Sequence, residues 1–283
     1  MHLESSHDKD GGTMTLKLTI IDKQKIKVFQ SIFQLLKGWG SNVHLIFNKD
    51  QLFIQGMDTS HVTYCNIVLT RTWFDTYDFE EGSSDVILCF DCNILNTVLS
   101  YAVKQRSLGV YIEHDITNTA SLDVQLLDTE KTEKKTDFNR YFEIPLYESE
   151  LELLALPDIE YDADFTINTE KFSELLSELF VFGTTLNILC SESMIELNAN
   201  GEMGKIKTHI PIDDLAEFSI SEGEELDLSF SLNYINKLCL STKLSTELSI
   251  SISKEYPLKM NYALSDDNSS RATFHIAAKV KDD

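Results

Sequence analysis

The side chains best suited to chemistry lie in one short polar turn, which reads Met57-Asp58-Thr59-Ser60-His61 and separates two strand-like runs. An acid, a hydroxyl and an imidazole are the components of a nucleophilic triad. A triad works only if the base lies within hydrogen-bonding reach of the nucleophile and a third group orients that base. Three near neighbours on a single turn rarely satisfy both conditions. The same turn could be an ordinary loop or the rim of a binding pocket.

No other motif supports catalysis, because the sequence contains no nucleophile elbow, phosphate-binding loop or metal motif. We therefore expect a protein that is not an enzyme and has no cofactor. A hydrolase that uses Asp58, Ser60 and His61 is kept as the alternative from another class.

Two cysteines, Cys89 and Cys92, form a CxxC pair. A structural zinc site needs four ligands, and no second pair lies nearby in the sequence. The chain has five cysteines, an odd number, and its N-terminus lacks the basic start and apolar run of a secretory signal. We expect ordinary reduced thiols, buried or half-buried, and no metal site.

The net charge of the 283-residue chain is −22, and 42% of its residues are hydrophobic. That composition can bury a substantial core in one large or two ordinary domains. Excess acid repels DNA and anionic membranes at long range, but salt screens the field beyond about 8 Å. A local basic patch could therefore still contact DNA. No apolar run is long enough for a transmembrane helix, so we expect no membrane partner.

The elements that would carry these residues repeat along the chain. Strand-like runs of period 2 alternate with short helices of period 3.6, in four similar β-α-β-β units arranged as two pairs. Helices are few and short beside the strands, so the predicted class is α+β with antiparallel sheets. The predicted buried helical stripes are Val28, Phe29, Ile32, Phe33 and Leu36; Ile94, Leu95, Val98 and Leu99; Phe172, Leu175, Leu176 and Leu179; and Ile235, Leu238 and Cys239.

A charged loop, DTEKTEKKTDFNR, separates the two pairs. The predicted organisation is a disordered leader at 1–13, an N-terminal domain at 14–144, an extended connector at 145–160 and a C-terminal domain at 161–283. The connector contains Leu151, Leu153, Leu154 and Leu156, too many apolar side chains for a solvated linker. Some of them must pack against the body or a partner.

Five segments resemble one family: MDTSHV (57–62), FDTY (74–77), LPDIEY (156–161), NANGEMGKIK (198–207) and IAAKV (276–280). They are similar to segments of proliferating cell nuclear antigen (PCNA), the DNA sliding clamp of eukaryotes, archaea and large DNA viruses. The resemblance runs from about Leu16 to Asp283, and its divergence would fit a viral or a protist member.

The resemblance implies a DNA clamp fold, with antiparallel sheets outside, short helices lining a central hole, and three chains in a head-to-tail ring around duplex DNA. Head-to-tail contacts form rings when the rotation closes. It also implies that an edge strand near 119–127 pairs with a strand near 203–210 of the next subunit.

In this family the opening turn borders a pocket for short partner peptides, which insert aliphatic and aromatic anchors from a single helical turn. Two positions depart from the family pattern, because Tyr64 replaces an aliphatic residue and Ala278 replaces a proline. By matching position, the peptide-binding residues are Met57, His61, Tyr64, Leu154, Leu156, Pro157, Pro257, Ala277 and Ala278.

Clamps of this family carry basic residues on the hole-facing sides of their helices. The third helix departs from that pattern, because Glu170, Glu174 and Glu178 form an acidic stripe. Glu192 stands where many members carry a lysine that accepts ubiquitin. The residues expected to face DNA are Lys27, Lys37, Lys104, Arg106, Lys237 and Lys243.

The function implied is that of a processivity factor in DNA replication and repair. The implied partners are double-stranded DNA, DNA polymerase, ligase, flap endonuclease and an ATP-driven clamp loader. The implied location is the nucleus or, for a virus, the site of viral DNA replication. The alternative within the same fold is a specialised paralogue, either one subunit of a heterotrimer or a monomeric processivity factor.

Overall fold

The computed structural model describes residues 15–40, 42–79, 84–105, 107–116, 120–130, 138–148, 150, 153–154, 157, 159–240 and 244–279. The predicted leader at 1–13 lies outside these residues, as do Leu151 and Leu156 of the connector.

The first half of the chain contains nine strands and two helices in its described residues. They are β1 (Thr15–Ile20), α1 (Lys23–Leu36), β2 (Asn42–Phe47), β3 (Gln51–Met57), β4 (Thr63–Thr70), β5 (Thr76–Asp78), β6 (Val86–Asp91), α2 (Cys92–Lys104), β7 (Leu108–Asp115), β8 (Ser121–Asp128) and β9 (Arg140–Pro145).

The second half repeats this order. Its elements are β10 (Ala163–Asn168), α3 (Thr169–Phe182), β11 (Thr185–Ser191), β12 (Met194–Gly201), β13 (Gly204–Ile210), β14 (Glu217–Ile220), β15 (Leu226–Ser231), α4 (Leu232–Leu240), β16 (Glu247–Ile252), β17 (Leu258–Ala263) and β18 (Arg271–Ile276).

The four-unit repeat is confirmed, and the structure adds a third strand after the helix of each unit. These third strands are β4, β9, β13 and β18. The short strands β5 and β14 lie between units and pair with β1 and β10. All strand pairs in the described residues are antiparallel, as the sequence predicts.

The strands form three sheets, with the orders β5-β1-β7-β8-β9, β14-β10-β16-β17-β18-β4-β3-β2-β6 and β13-β12-β11-β15. The nine-stranded sheet joins the two halves of the chain, because β18 pairs with β4 from Arg271 opposite Val68 to Ile276 opposite Thr63. This pairing positions the candidate site, which lies on both sides of the join.

Two third strands are open on one side in the described part of the chain: β9 has only β8 as a neighbour, and β13 has only β12. The predicted edge strand near 119–127 is wrong, because β8 pairs with β7 on one side and β9 on the other. The second predicted edge, near 203–210, coincides with the open strand β13.

The helices bury the predicted stripes except at two positions, Ile94 on α2 and Leu175 on α3, the second of which is half-buried. All five stripe residues of α1 are buried, whereas Ile94 on α2 is 37% exposed. The buried face of α2 runs through Leu95, Val98, Leu99 and Ala102, and Ile94 lies about 100° around the helix from Leu95. Asp22, Asp91 and Asn168 cap α1, α2 and α3, and each side chain accepts a hydrogen bond from a backbone N–H of the first turn.

The four helices pack against the sheets as two pairs. Helix α1 packs on α2, and α3 packs on α4. The two helix pairs lie next to each other, because Gln24 of α1, Ser173 of α3 and Cys239 of α4 line the same cavity. All five cysteines are free and buried, as expected. None of the helices in the described ranges is long and apolar enough to span a membrane.

Candidate functional site

The polar turn between β3 and β4 is organised by Asp58, whose side chain is buried. Its Oδ1 accepts hydrogen bonds from the N–H groups of Val62 (2.8 Å) and Thr63 (2.6 Å), and its Oδ2 accepts one from Ser60 (3.0 Å). Burial by itself would raise the pKa of Asp58, but these N–H donors and the Ser60 side chain together outweigh burial and leave the pKa below its usual value. The carboxylate therefore holds the turn closed.

The triad geometry is not formed. The oxygens of Asp58 bond to backbone donors, and among the described residues no hydrogen bond links the side chains of Ser60 and His61. His61 is exposed and has a φ of 55°, in the left-handed region that few residues adopt. The turn thus presents Met57 and His61 outward, which fits a pocket rim.

A cavity of about 660 Å³ opens beside this turn, on the outer face of the nine-stranded sheet. It brings together seven of the nine residues expected to bind peptides. Leu156 lies outside the described residues, and Ala278 is exposed but does not line the cavity. The seven residues are Met57, His61, Tyr64, Leu154, Pro157, Pro257 and Ala277.

The connector is held over the cavity by the hydroxyl of Tyr64, which donates to the carbonyl of Leu154 (3.5 Å), and by Gln55, which sequence reasoning missed. The amide of Gln55 donates from Nε2 to the carbonyl of Leu154 (3.3 Å) and accepts at Oε1 from the N–H of Leu154 (3.2 Å). The side chain of Leu154 remains 44% exposed and faces the cavity. Gln55 lies on the outward face of β3, which the alternation around Leu52 and Ile54 could have indicated.

The floor of the cavity comes from β17 and β18, and most of it was also missed. The strand LKMNYA alternates between buried and less buried residues, and RATFHI alternates between polar and apolar residue types although Thr273 is itself buried, so the polar positions of both strands were readable. Their assembly with Tyr64 was not, because it depends on the join between β18 and β4. The outward floor residues are Lys259, Asn261, Arg271, Thr273 and His275.

Two aromatic rings in the floor are held uncharged. The rings of Tyr64 and His275 lie with their centroids 5.9 Å apart. Burial raises the pKa of Tyr64 to about 12. Burial, followed by the charge of Lys259, lowers the pKa of His275 to about 4. At neutral pH both groups are neutral partners for hydrogen bonds.

Four of the six residues expected to face DNA are described, and they lie on the helices or at their ends. Lys27 is exposed on α1, Lys37 is exposed at its C-terminus, Lys104 ends α2 and Lys237 is exposed on α4. Arg106 and Lys243 lie outside the described residues.

Acidic residues occupy the corresponding face of α3. Glu170, Glu174 and Glu178 are all exposed on that helix. Glu192, in the turn between β11 and β12, accepts a hydrogen bond from the N–H of Gly223 (3.0 Å) through its Oε1. The basic surface is therefore uneven across the helix layer.

Four repeated units, one helix layer, antiparallel outer sheets and a pocket under a connector together define a protein of the sliding-clamp class. A family model described as "Proliferating cell nuclear antigen, C-terminal domain" matches residues 155–279. Proliferating cell nuclear antigen 2 of Plasmodium falciparum (isolate 3D7) is 24% identical over 259 residues, covering 90% of this chain and 96% of that protein. Proliferating cell nuclear antigen of Chaetomium thermophilum is 24% identical over 265 residues, covering 92% and 97%.

The fold agrees with these sequence matches. The crystal structure of PCNA from Thermococcus kodakaraensis has a TM-score of 0.79 at 16% identity, covering 93% of this chain and 100% of the other. The family-model match over residues 155–279, the two relatives and the structural neighbour together support a divergent sliding clamp of the PCNA family. These three relatives are cellular proteins and give no support to a viral origin.

Proposed function

We propose that this chain is a DNA sliding clamp that acts as a head-to-tail homotrimer, encircles duplex DNA and holds replication and repair enzymes on it. The ring is supported by a difference among the four third strands. Two of them pair with each other within the chain, and the other two have an open side in its described part. Strand β4, from the first unit of one pair, joins β18, from the second unit of the other pair. Strand β13 (a first unit) and β9 (a second unit) are the equivalent strands left open in the described part of the chain.

An antiparallel pairing of β9 with β13 of the next chain would repeat the β4–β18 join between subunits. Each chain carries one strand of each kind, so the contact is head-to-tail and closes as a ring when the rotation is complete. Inside such a ring the duplex is retained by topology, without a strong grip on phosphates.

Exposed apolar side chains next to both open strands support this pairing. Phe138 and Tyr141 at β9 are 86% and 68% exposed, and Met203 and Val181 beside β13 are 77% and 63% exposed. Apolar groups gathered at an open strand edge are typical of interaction surfaces. They favour a ring over the monomeric alternative.

The cavity on the outer face would bind short segments of DNA polymerase, ligase, flap endonuclease and similar partners. Its apolar end, built from Met57, Leu154 and Pro257, suits aliphatic and aromatic anchors. From the family resemblance alone, Leu156 is proposed as a further peptide contact. An ATP-driven loader would open the ring, and the site of action would be the nucleus. We propose that the protein is not an enzyme. The carboxylate of Asp58, the acid of the candidate triad, accepts hydrogen bonds from the backbone of its own turn.

The test of the ring is the mass in solution. Size exclusion with light scattering is expected to give about three times the 32.2 kDa chain mass. Tyr141→Asp places a charge in the proposed contact and should release monomers. Ile87→Asp is the matched control, since Ile87 is 46% exposed on β6, which belongs to the nine-stranded sheet and not to the sheets of β9 or β13.

Circular dichroism would establish that each variant is folded. A wild-type chain that stays monomeric at micromolar concentration would overturn the homotrimeric ring. A trimer that survives in Tyr141→Asp but dissociates in Ile87→Asp would overturn the assignment of β9 and β13.

A further inference from the structure

The peptide cavity differs from the rest of the protein in charge. The chain contains 46 Asp and Glu residues among 283, about one in six, yet none of those in the described residues lines the cavity. Two cations do, Lys259 on β17 and Arg271 on β18. The described lining of the cavity is therefore locally basic, on a protein with a net charge of −22.

Neither cation has an acidic partner in the described part of the chain. The salt bridges formed there involve other residues, and Arg271 forms no side-chain hydrogen bond within the same ranges. The ammonium of Lys259 instead lies 4.9 Å from the centroid of the Tyr161 ring. A cation over an aromatic face is attracted to it, but its charge is not neutralised.

The strand register fixes the ammonium at the floor of the cavity. Lys259 lies opposite His275 on β18, and His275 lies opposite Tyr64 on β4. Lys259 is half-buried between these rings and Tyr161. A partly desolvated charge without a counterion is costly, so a carboxylate arriving from outside would relieve that cost.

The nearest acid on the same face of the sheet, among the described residues, lies outside the cavity. Ser251 is opposite Lys259, and Asp164 is opposite Ser251, so Asp164 is two strands away. Two strand spacings amount to about 10 Å, close to the screening length in physiological salt. Asp164 and Glu217 line a neighbouring polar groove that also includes Lys259.

We propose that the partner peptides of this clamp carry an acidic side chain beside their apolar anchors, and that Lys259 binds its carboxylate, with Arg271 extending the basic rim. This rests on the proposed peptide-binding function. The overall negative charge repels acidic segments at a distance, so the cavity would select for a correctly placed carboxylate at contact range.

The probe is a synthetic peptide with one aliphatic and two aromatic anchors in a single helical turn. A single Glu is moved through the four positions after the anchors, and each peptide is matched by one with Gln at the same place. Binding to the full chain is measured by fluorescence anisotropy. At one position, Glu is expected to bind about three- to tenfold more tightly than Gln, the range of one ordinary net hydrogen bond at a partly solvated site.

Two protein variants test whether Lys259 makes the contact with the peptide carboxylate. Lys259→Met keeps an unbranched apolar stem and should bring the Glu-to-Gln affinity ratio to about one, while Gln peptides bind as before. Lys49→Met is the control, because Lys49 is exposed in the β2–β3 turn, outside the cavity lining.

The outcomes separate this inference from the proposed function. Equal binding of Glu and Gln peptides at all positions, with Met57→Ala still weakening both, would overturn the acidic preference and leave the peptide pocket standing. A preference that persists in Lys259→Met would overturn the role of Lys259. Absence of binding by all peptides would overturn the pocket and this inference with it.

Discussion

Asp58 shows how a residue type that suggests chemistry can serve structure. Its two carboxylate oxygens accept three hydrogen bonds from the backbone of residues 60, 62 and 63. These bonds close the turn that positions Met57 and His61 at the rim of the cavity. The residue acts on peptide binding through the shape of the turn.

Replacing Asp58 with Asn should lower the free energy of unfolding by about 1–3 kcal/mol at pH 7, because buried N–H donors lose a charged acceptor. The lowered pKa fixes the pH dependence. The stabilisation is present above the ordinary Asp pKa of 3.8 and is lost as pH falls through the lower value of the folded state. Urea unfolding of both proteins between pH 7 and pH 3 measures the difference.

Thr59→Ala is the control for that comparison, since Thr59 is an exposed neighbour in the same turn. It should change stability by less than about 0.5 kcal/mol. If Asp58→Asn is as stable as the wild type at pH 7, the three hydrogen bonds do not hold the turn.

At the scale of elements, the open strand β13 depends on close packing between its hairpin and the end of α3. A Cβ on Gly201 would lie 2.5 Å from the carbonyl oxygen of Phe182, and one on Gly183 would lie 2.7 Å from the carbonyl oxygen of Asn200. Both neighbours are backbone atoms, so only glycine permits this approach. The contact sets how β13 is presented for pairing.

Gly201→Ala should therefore destabilise the protein by about 1–3 kcal/mol through overpacking, and it should weaken the trimer by displacing β13. Gly56→Ala is the matched control within a strand, because a Cβ at Gly56 meets no heavy atom within 4 Å. The control should be neutral or stabilising by up to about 1 kcal/mol. Thermal unfolding and solution mass measure both effects, and equal behaviour of the two variants would contradict this account of the hairpin.

At the scale of the whole molecule, the charge distribution determines how the ring would hold DNA. The exposed cations Lys27 and Lys37 belong to α1, whereas the exposed face of α3 carries three glutamates. Contact with the duplex should therefore be weak and uneven around each subunit. Few neutralised phosphates give a shallow dependence of affinity on salt.

Lys37→Glu should lower DNA affinity several-fold at low salt and reduce the slope of log affinity against log salt by about one. Lys49→Glu makes the same change in net charge at the β2–β3 turn, away from the helix layer, and should have a smaller effect. Fluorescence anisotropy with a duplex at two salt concentrations measures both. Equal effects of the two variants would show that the basic face is assigned to the wrong side.

Much of the fold was readable because its signals are local. The stripe of α1 and the β2–β3 hairpin follow from apolar spacing within a few residues, and the repeat follows from the recurrence of such patterns. Ile94 was predicted wrongly because adjacent apolar residues do not show where a helical stripe ends. The additional third strand of each unit was missed, and with it the true edge, β9.

The sequence by itself determined the class of the protein, the repeated units and seven residues of the cavity. These could be predicted because the family segments and the hydrophobic periodicity are local properties of neighbouring residues. Only the tertiary structure decided that β18 pairs with β4, about 200 positions away, and so placed Lys259, His275 and Tyr64 in one floor. The structure also decided that Gln55 fixes the connector and that β9 and β13 remain open within the described ranges. The physical reason is that pairing between distant strands depends on long-range packing and register, which local alternation does not specify.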